Sequence, residues 1–128
     1  MIIKQRSFKW LQDNVVTYED VCYELNIPVT DDRDFIYFPE EQRGKLKATT
    51  QLLNIVKLFN QGWVPNFDNT SEYKYLPYFV KNSGGWAFGS SIVFAGRSYC
   101  SAGLYYKSRE LSDFCANRFL SIYLNYIK

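Results

Sequence analysis

Apolar residues follow two different periods along this chain, and the change of period divides it. Over the last quarter they recur at helical spacing. Leu111, Phe114, Cys115, Phe119, Ile122, Tyr123 and Tyr126 form one stripe, and Ala116, Leu120, Leu124 and Ile127 lie beside and behind it. Asp113, Asn117, Ser121 and Asn125 mark the opposite side. The apolar arc is therefore wide, and an arc of that width is usually covered on two sides. Ser108 is a good N-cap and Glu110 suits the first turn, so the pattern predicts one long helix over 108–127.

Upstream, Thr17 caps a shorter helical pattern, with Tyr18, Val21, Cys22 and Leu25 on one face and a stop at Pro28. A second pattern starts at Pro39, with Glu40 and Glu41 in its first turn. Leu46, Leu52, Leu53, Val56 and Phe59 trace its face. Gly44 costs such a helix roughly 1 kcal/mol relative to alanine, which implies close packing or a frayed start. Asn60-Gln61-Gly62-Trp63 reads as its end, with Gly62 left-handed and Trp63 folded back toward Leu58.

Between 73 and 107 the period is two. Tyr73, Tyr75 and Phe79 alternate with Lys74, Leu76, Tyr78 and Val80, with Pro77 marking an edge or an interruption. Asn82-Ser83-Gly84-Gly85 is a hairpin turn. Trp86, Phe88, Ser90, Ile92 and Phe94 alternate with small residues, and Leu104-Tyr105-Tyr106-Lys107 reads as a last strand. The expected fold is α+β. It has N-terminal helices, a three- to four-stranded antiparallel meander over 73–107, and the long C-terminal helix packed on that sheet. The 39–61 helix, or a second copy of the chain, covers the other side of that helix. All 128 residues make one domain: a helical part over 17–62, the meander, the final helix, and residues 1–16 as an N-terminal extension. In that extension Phe8, Trp10, Leu11 and Val15 are spaced loosely like a short helix.

Composition changes this picture in two ways. Eleven Tyr, ten Phe and three Trp make the chain aromatic-rich, which suits half-buried strands and binding surfaces alike. A net charge of +2 points neither to a polyanion mimic nor to a strongly basic nucleic-acid module. Residues Met1 to Arg6 lack the apolar run of a signal peptide and no apolar stretch suits a membrane span, so a cytoplasmic protein without membrane contact is expected. Cys22, Cys100 and Cys115 are far apart among apolar neighbours and read as buried thiols.

The sequence of Thr17–Ile27 (TYEDVCYELNI), Asn60–Phe67 (NQGWVPNF), Glu72–Phe79 (EYKYLPYF) and Tyr105–Phe119 (YYKSRELSDFCANRF) resembles, in this order and spacing, a family of small proteins. Phages and prophages of gut Bacteroidetes encode that family. The resemblance covers about 17–128. It implies a phage context, hence the host cytoplasm or the virion as location, and brings no catalytic residue with it.

Candidate chemistry is sparse. With no His, a Ser–His or Cys–His pair is excluded. Glu40 and Glu41 diverge by 100° around a helix and do not pair for acid–base work. Asp31, Asp32 and Asp34 lack the glycine turn and distal Glu of a calcium loop, and a solvated loop is the plainer reading. Gly84, Gly85 and Gly89 fit hairpin geometry, not a phosphate cradle. No catalytic residue, metal site or cofactor is expected, and the chain reads as a non-enzyme. Tyr73, Lys74, Tyr75, Tyr78, Lys81, Arg97, Tyr99, Tyr105, Tyr106 and Lys107 interleave aromatics with cations and form the candidate binding surface. The plainer reading makes one alternate set core and the other an ordinary strand exterior. Ala116, Leu120, Leu124 and Ile127 form a candidate partner or self-association face. The expected function is non-catalytic binding of a macromolecule, a host or phage protein, with inhibition of host defence as the example. A minor virion part, a homo-oligomer and a single-strand nucleic-acid binder are the alternatives.

Overall fold

The structure, a computed structural model, describes residues 3–98, 100 and 103–128. Among these, five α-helices and one two-stranded antiparallel sheet form an α+β unit. Helices α1 (Phe8–Asn14) and α2 (Tyr18–Leu25) lead to a 3₁₀ turn at Asp32–Phe35 and helix α3 (Glu40–Phe59). Strands β1 (Lys74–Asn82) and β2 (Gly85–Phe94) follow, then α4 (Arg109–Arg118) and α5 (Leu120–Ile127).

The helix starts obey local chemistry. Thr17 Oγ1 accepts from Asp20 N–H, and the Asp20 carboxylate accepts from Thr17 N–H at 3.0 Å, closing a capping box. Hydrogen bonds from the Thr17 and Val16 N–H groups hold the Asp20 carboxyl below the usual range. The acidic stretch is not an open loop: Asp31 and Asp34 close a second capping box around the 3₁₀ turn. The end of α3 has Gly62 at positive φ, as expected, and adds a second left-handed residue before it. Gln61 at φ 52° takes the left-handed position, and Gly62 at φ +82° follows it. Gln61 N–H donates to Leu58 O and Gly62 N–H to Lys57 O, the paired bonds of a Schellman end. Gln61 offsets the cost of its own conformation. Its Nε2 donates to Leu58 O at 2.8 Å and its Oε1 accepts from Arg6 N–H at 2.6 Å, tying the N-terminal segment to the helix end. Trp63 lies beside Val56 and Lys57, along a groove on α3.

Residues 8–15, read from sequence as extension, contribute to the core. Leu11 and Val15 are fully buried, and the Phe8 ring meets Phe114 edge-on at 5.5 Å. Arg118 at the end of α4 donates to Val15 O at 2.6 Å and Gln12 O at 3.3 Å. A cation thus satisfies the carbonyl end of α1, where the helix dipole favours it.

The C-terminal helix is not continuous. Phe119 leaves helical geometry (φ −109°, ψ 35°), and the ladder restarts with Ile122 and Tyr123 donating to Phe119 O. The break resolves the width of the apolar arc. α4 lies on both strands, whereas α5 lies along α3. A straight rod would present its stripe to one layer; two segments meeting at a buried aromatic present it to two. Phe119 packs on Phe59 of α3 with ring centroids 6.0 Å apart.

The meander is shorter than the alternation predicted. β1 and β2 pair from Lys74↔Phe94 to Asn82↔Gly85 around a two-residue turn, with Gly85 at φ +101°. No third strand forms among the described residues. The 104–107 segment makes one bridge, Tyr75↔Tyr106, with both N–H···O bonds (3.0 and 2.8 Å). Its other edge is taken by a side chain. Asn60 Nδ2 donates to Tyr105 O at 2.7 Å, and Lys107 N–H donates to Asn60 Oδ1 at 3.1 Å. The amide therefore stands in for a neighbouring strand, and α4 begins two residues later.

Candidate functional site

The aromatic and basic positions singled out by sequence fall into two sets. Tyr73, Tyr78, Lys81, Arg97 and Lys107 are exposed, and Tyr75 is half-buried. Lys74, Tyr105 and Tyr106 are not surface residues; each is at most 1% exposed. Tyr99 lies outside the described residues. The burials have physical causes. Lys74 Nζ shares its three N–H donors among the carbonyls of Asn66 (2.8 Å), Asn69 (3.1 Å), Glu72 (3.0 Å) and Ala95 (3.1 Å), and the Glu72 carboxylate lies 3.4 Å away. The ammonium is the internal ion around which the 66–72 loop winds. Glu72 accepts from Asn66 N–H, which with Lys74 holds its carboxyl below the usual range. Tyr105 is packed edge-on between Phe67 (5.6 Å) and Phe94 (5.3 Å).

Tyr106 belongs to a buried polar pair. Its hydroxyl lies 2.7 Å from that of Tyr123. Burial pushes both phenols and the neighbouring Cys115 thiol well above their ordinary pKa values. In the unfolded chain these groups ionise near about 8.5 for a thiol and about 10 for a phenol. Above those values the unfolded chain holds fewer protons than the folded one, so stability falls as pH rises. It is fully present below them. Urea midpoints are expected to be flat through neutral pH and to fall from about pH 9 upward. The alkaline slope should be shallower in Tyr123→Phe and Cys115→Ala. An equal slope in all three proteins would contradict this. The third cysteine departs from expectation: Cys100 is exposed, because it sits on the connection after β2 instead of inside a packed element.

The proposed partner face is also mostly internal. Ala116 is fully buried, and Leu120, Leu124 and Ile127 are half-buried on α5, which lies against α3. The helix arrangement hides in one chain most of what a second copy would have covered.

What remains open is a groove between the hairpin and α5. Tyr78 from the aromatic set and Ile127 from the helix set both line it, with Pro77, Phe79, Trp86 and Tyr126. Its volume is about 280 Å³. A register shift lies at its edge. Tyr78 pairs with Ser90 but Phe79 with Phe88, leaving Gly89 as the extra residue. Gly89 is needed for the close approach, since a Cβ there would lie 2.6 Å from the Tyr78 ring. Phe79 packs against Tyr123 at 5.2 Å and Phe88 at 6.1 Å, so neighbouring rings back this wall. Lys81 Nζ lies 5.8 Å from the Trp86 ring at the hairpin end. A glycine inside an alternating strand was the sequence signal for the bulge, and it reads equally well as a hairpin glycine.

The lining contains no carboxylate, amine or thiol among the described residues. Such walls accept an apolar side chain or ring, and the phenols of Tyr78, Tyr123 and Tyr126 are the titratable groups among them. Elsewhere, Ser91 Oγ donates to Asp113 at 2.6 Å and lies 2.7 Å from Ser112 Oγ, and Arg109 donates to Ser91 O at 2.6 Å. Ser91 and Ser112 are buried, and this cluster fastens β2 to α4. Among the described residues no group of three His, Cys, Asp or Glu side chains converges, and no helix is long and apolar enough to cross a membrane.

No protein-family model matches the chain, and neither a curated protein nor a solved structure matches it.

Proposed function

We propose that this chain is a non-catalytic, phage-encoded accessory protein that binds another macromolecule, with a host-defence inhibitor as the favoured case. The groove between hairpin and α5 carries the reading. It is apolar and aromatic, its walls are packed in place, and it opens to the surface. Aromatic side chains held in fixed positions give contact area at low entropic cost, which is how most binding energy concentrates in a few residues. The resemblance of four segments to phage-encoded proteins supplies the context. The single-strand nucleic-acid alternative has lost part of its support, because Lys74, Tyr105 and Tyr106 are engaged inside the fold.

The test is affinity purification from infected cells with wild-type protein and Tyr126→Asp, with purified particles run alongside. One host protein retained by wild type and lost with the folded variant supports the reading. Copurification with particles favours the virion alternative, and retention of the same partners by both proteins would sink the groove as the site.

A further inference from the structure

The groove between the hairpin and α5 is apolar, but it is not aliphatic. Three of its rings end in a hydrogen-bonding atom: the hydroxyls of Tyr78 and Tyr126 and the indole N–H of Trp86. Among the described residues none of the three has a hydrogen-bond partner, and none is sealed from solvent. Tyr123 in the same wall shows the contrast, because its hydroxyl is taken by Tyr106 at 2.7 Å. Rings that carry spare donors at their tips suit an occupant with flat apolar surface and unspent carbonyl groups.

Backbone conformation decides which occupant has both. A helix uses its carbonyls within itself. An added strand needs a free edge, and this edge of β1 is poor. Tyr75 points both its backbone groups away from β2 and gives them to Tyr106. Pro77, the next position facing that way, has no N–H. A polyproline II segment makes no internal hydrogen bonds, so its carbonyls are available, and its prolyl rings lie flat on aromatic faces. It is also extended before it binds, which lowers the ordering cost.

Charge selects the flanks of that segment. β1, β2 and α5 contain no Asp or Glu, and their only cations are Lys74 and Lys81. Lys74 is enclosed by its carbonyls. Lys81 is exposed at the Trp86 end of the groove, with Nζ 5.8 Å from that ring, and no ion pair engages it among the described residues. A carboxylate arriving there gains a partner, whereas a cation meets its own sign.

We propose that the groove between the hairpin and α5 binds a proline-rich segment of a partner protein in the polyproline II conformation, with an acidic residue beside Lys81. The inference rests on the reading of this groove as the binding site. The test uses synthetic peptides on the full chain: decaproline with an aspartate at each end, decaproline with a lysine at each end, and an aspartate-ended glycine–serine peptide of equal length. An aspartate-ended amphipathic helix with leucines on one face is the fourth. Affinities come from fluorescence anisotropy of labelled peptide. The indole N–H resonance of Trp86, assigned by its loss in Trp86→Phe, locates the contact.

The aspartate-ended decaproline should bind and shift the Trp86 resonance saturably. The lysine-ended form should bind about threefold more weakly, in the range of one exposed charge pair. Trp86→Phe keeps a ring without its donor and should weaken the first peptide about fivefold. Lys81→Glu changes an exposed side chain and should reverse the order of the two decaprolines, which a change in folding would not do. No binding of either decaproline, equal binding of the glycine–serine peptide, tighter binding of the leucine helix, or an order unchanged by Lys81→Glu overturns the proposal. If the decaprolines fail while an infected-cell partner is still lost with Tyr126→Asp, the class of partner is wrong and the groove remains the site. Retention of that partner by Tyr126→Asp is the separate result that removes the groove itself.

Discussion

Lys74→Met is expected to lower folding stability by roughly 3 kcal/mol, because a buried charge hydrogen-bonded on every side is removed and its acceptors stay behind. Methionine matches the length of the stem but offers no N–H. The carbonyls of Asn66, Asn69, Glu72 and Ala95 converge within 3.1 Å of the ammonium, so all four would face a thioether. Urea denaturation followed by tryptophan fluorescence would measure the loss. Hydrogen exchange should show faster exchange of the Asn69 and Glu72 amides, whose bonds to Asn66 O and Asn69 O depend on the wound loop. A loss below about 0.5 kcal/mol, the range of an exposed lysine, would mean that the ammonium does not organise the loop.

Asn60→Ala should cost a similar amount, about 2–4 kcal/mol, by leaving Tyr105 O and Lys107 N–H without their partner. Asn60→Asp gives a sharper result. An ionised carboxylate accepts from Lys107 N–H but repels Tyr105 O, whereas a protonated one can donate to that carbonyl. The folded state therefore favours the protonated form and raises the aspartate pKa above its unfolded value. The variant's deficit relative to wild type should be largest at neutral pH and shrink as pH falls through the raised value toward about 4. Matched urea titrations of the two proteins would show it. A deficit independent of pH would mean that the amide fills space and does not replace a strand.

Both residues show where a reading of the chain alone stops. Lys74 stands in an alternating strand between tyrosines, and nothing local distinguishes a cation facing water from one facing four carbonyls. The carbonyls come from positions as distant as Ala95, so only the closed hairpin brings them together. Asn60 looked like part of a helix stop, and Asn60 N–H does bond back to Val56 O. Its side chain serves residues 45 and 47 positions later, which no window around Asn60 contains. The third strand is absent for the same reason, since its outer edge is satisfied by that amide.

The C-terminal segment teaches the complementary lesson. The width of its apolar arc was legible, as was the need for two covering layers, because side-chain direction follows from helical period alone. That the segment breaks at Phe119 to reach them was not. A straight helix, covered on its far side by the 39–61 helix or by a second copy, carries the same periodicity.

Within its own residues the chain determined the capping of α2 and α4, the hairpin turn at Ser83-Gly84, and the helical and alternating zones. These depend on hydrogen bonds and φ angles within a few positions, which local sequence states directly. Tertiary structure alone decided which tyrosines and lysines are internal and which aromatic rings share the groove at Tyr78 and Ile127. It also decided that Ile36, Tyr37 and Phe38 stay in water. Those outcomes depend on free energies of burial and desolvation, and these are set by neighbours that arrive from far along the chain.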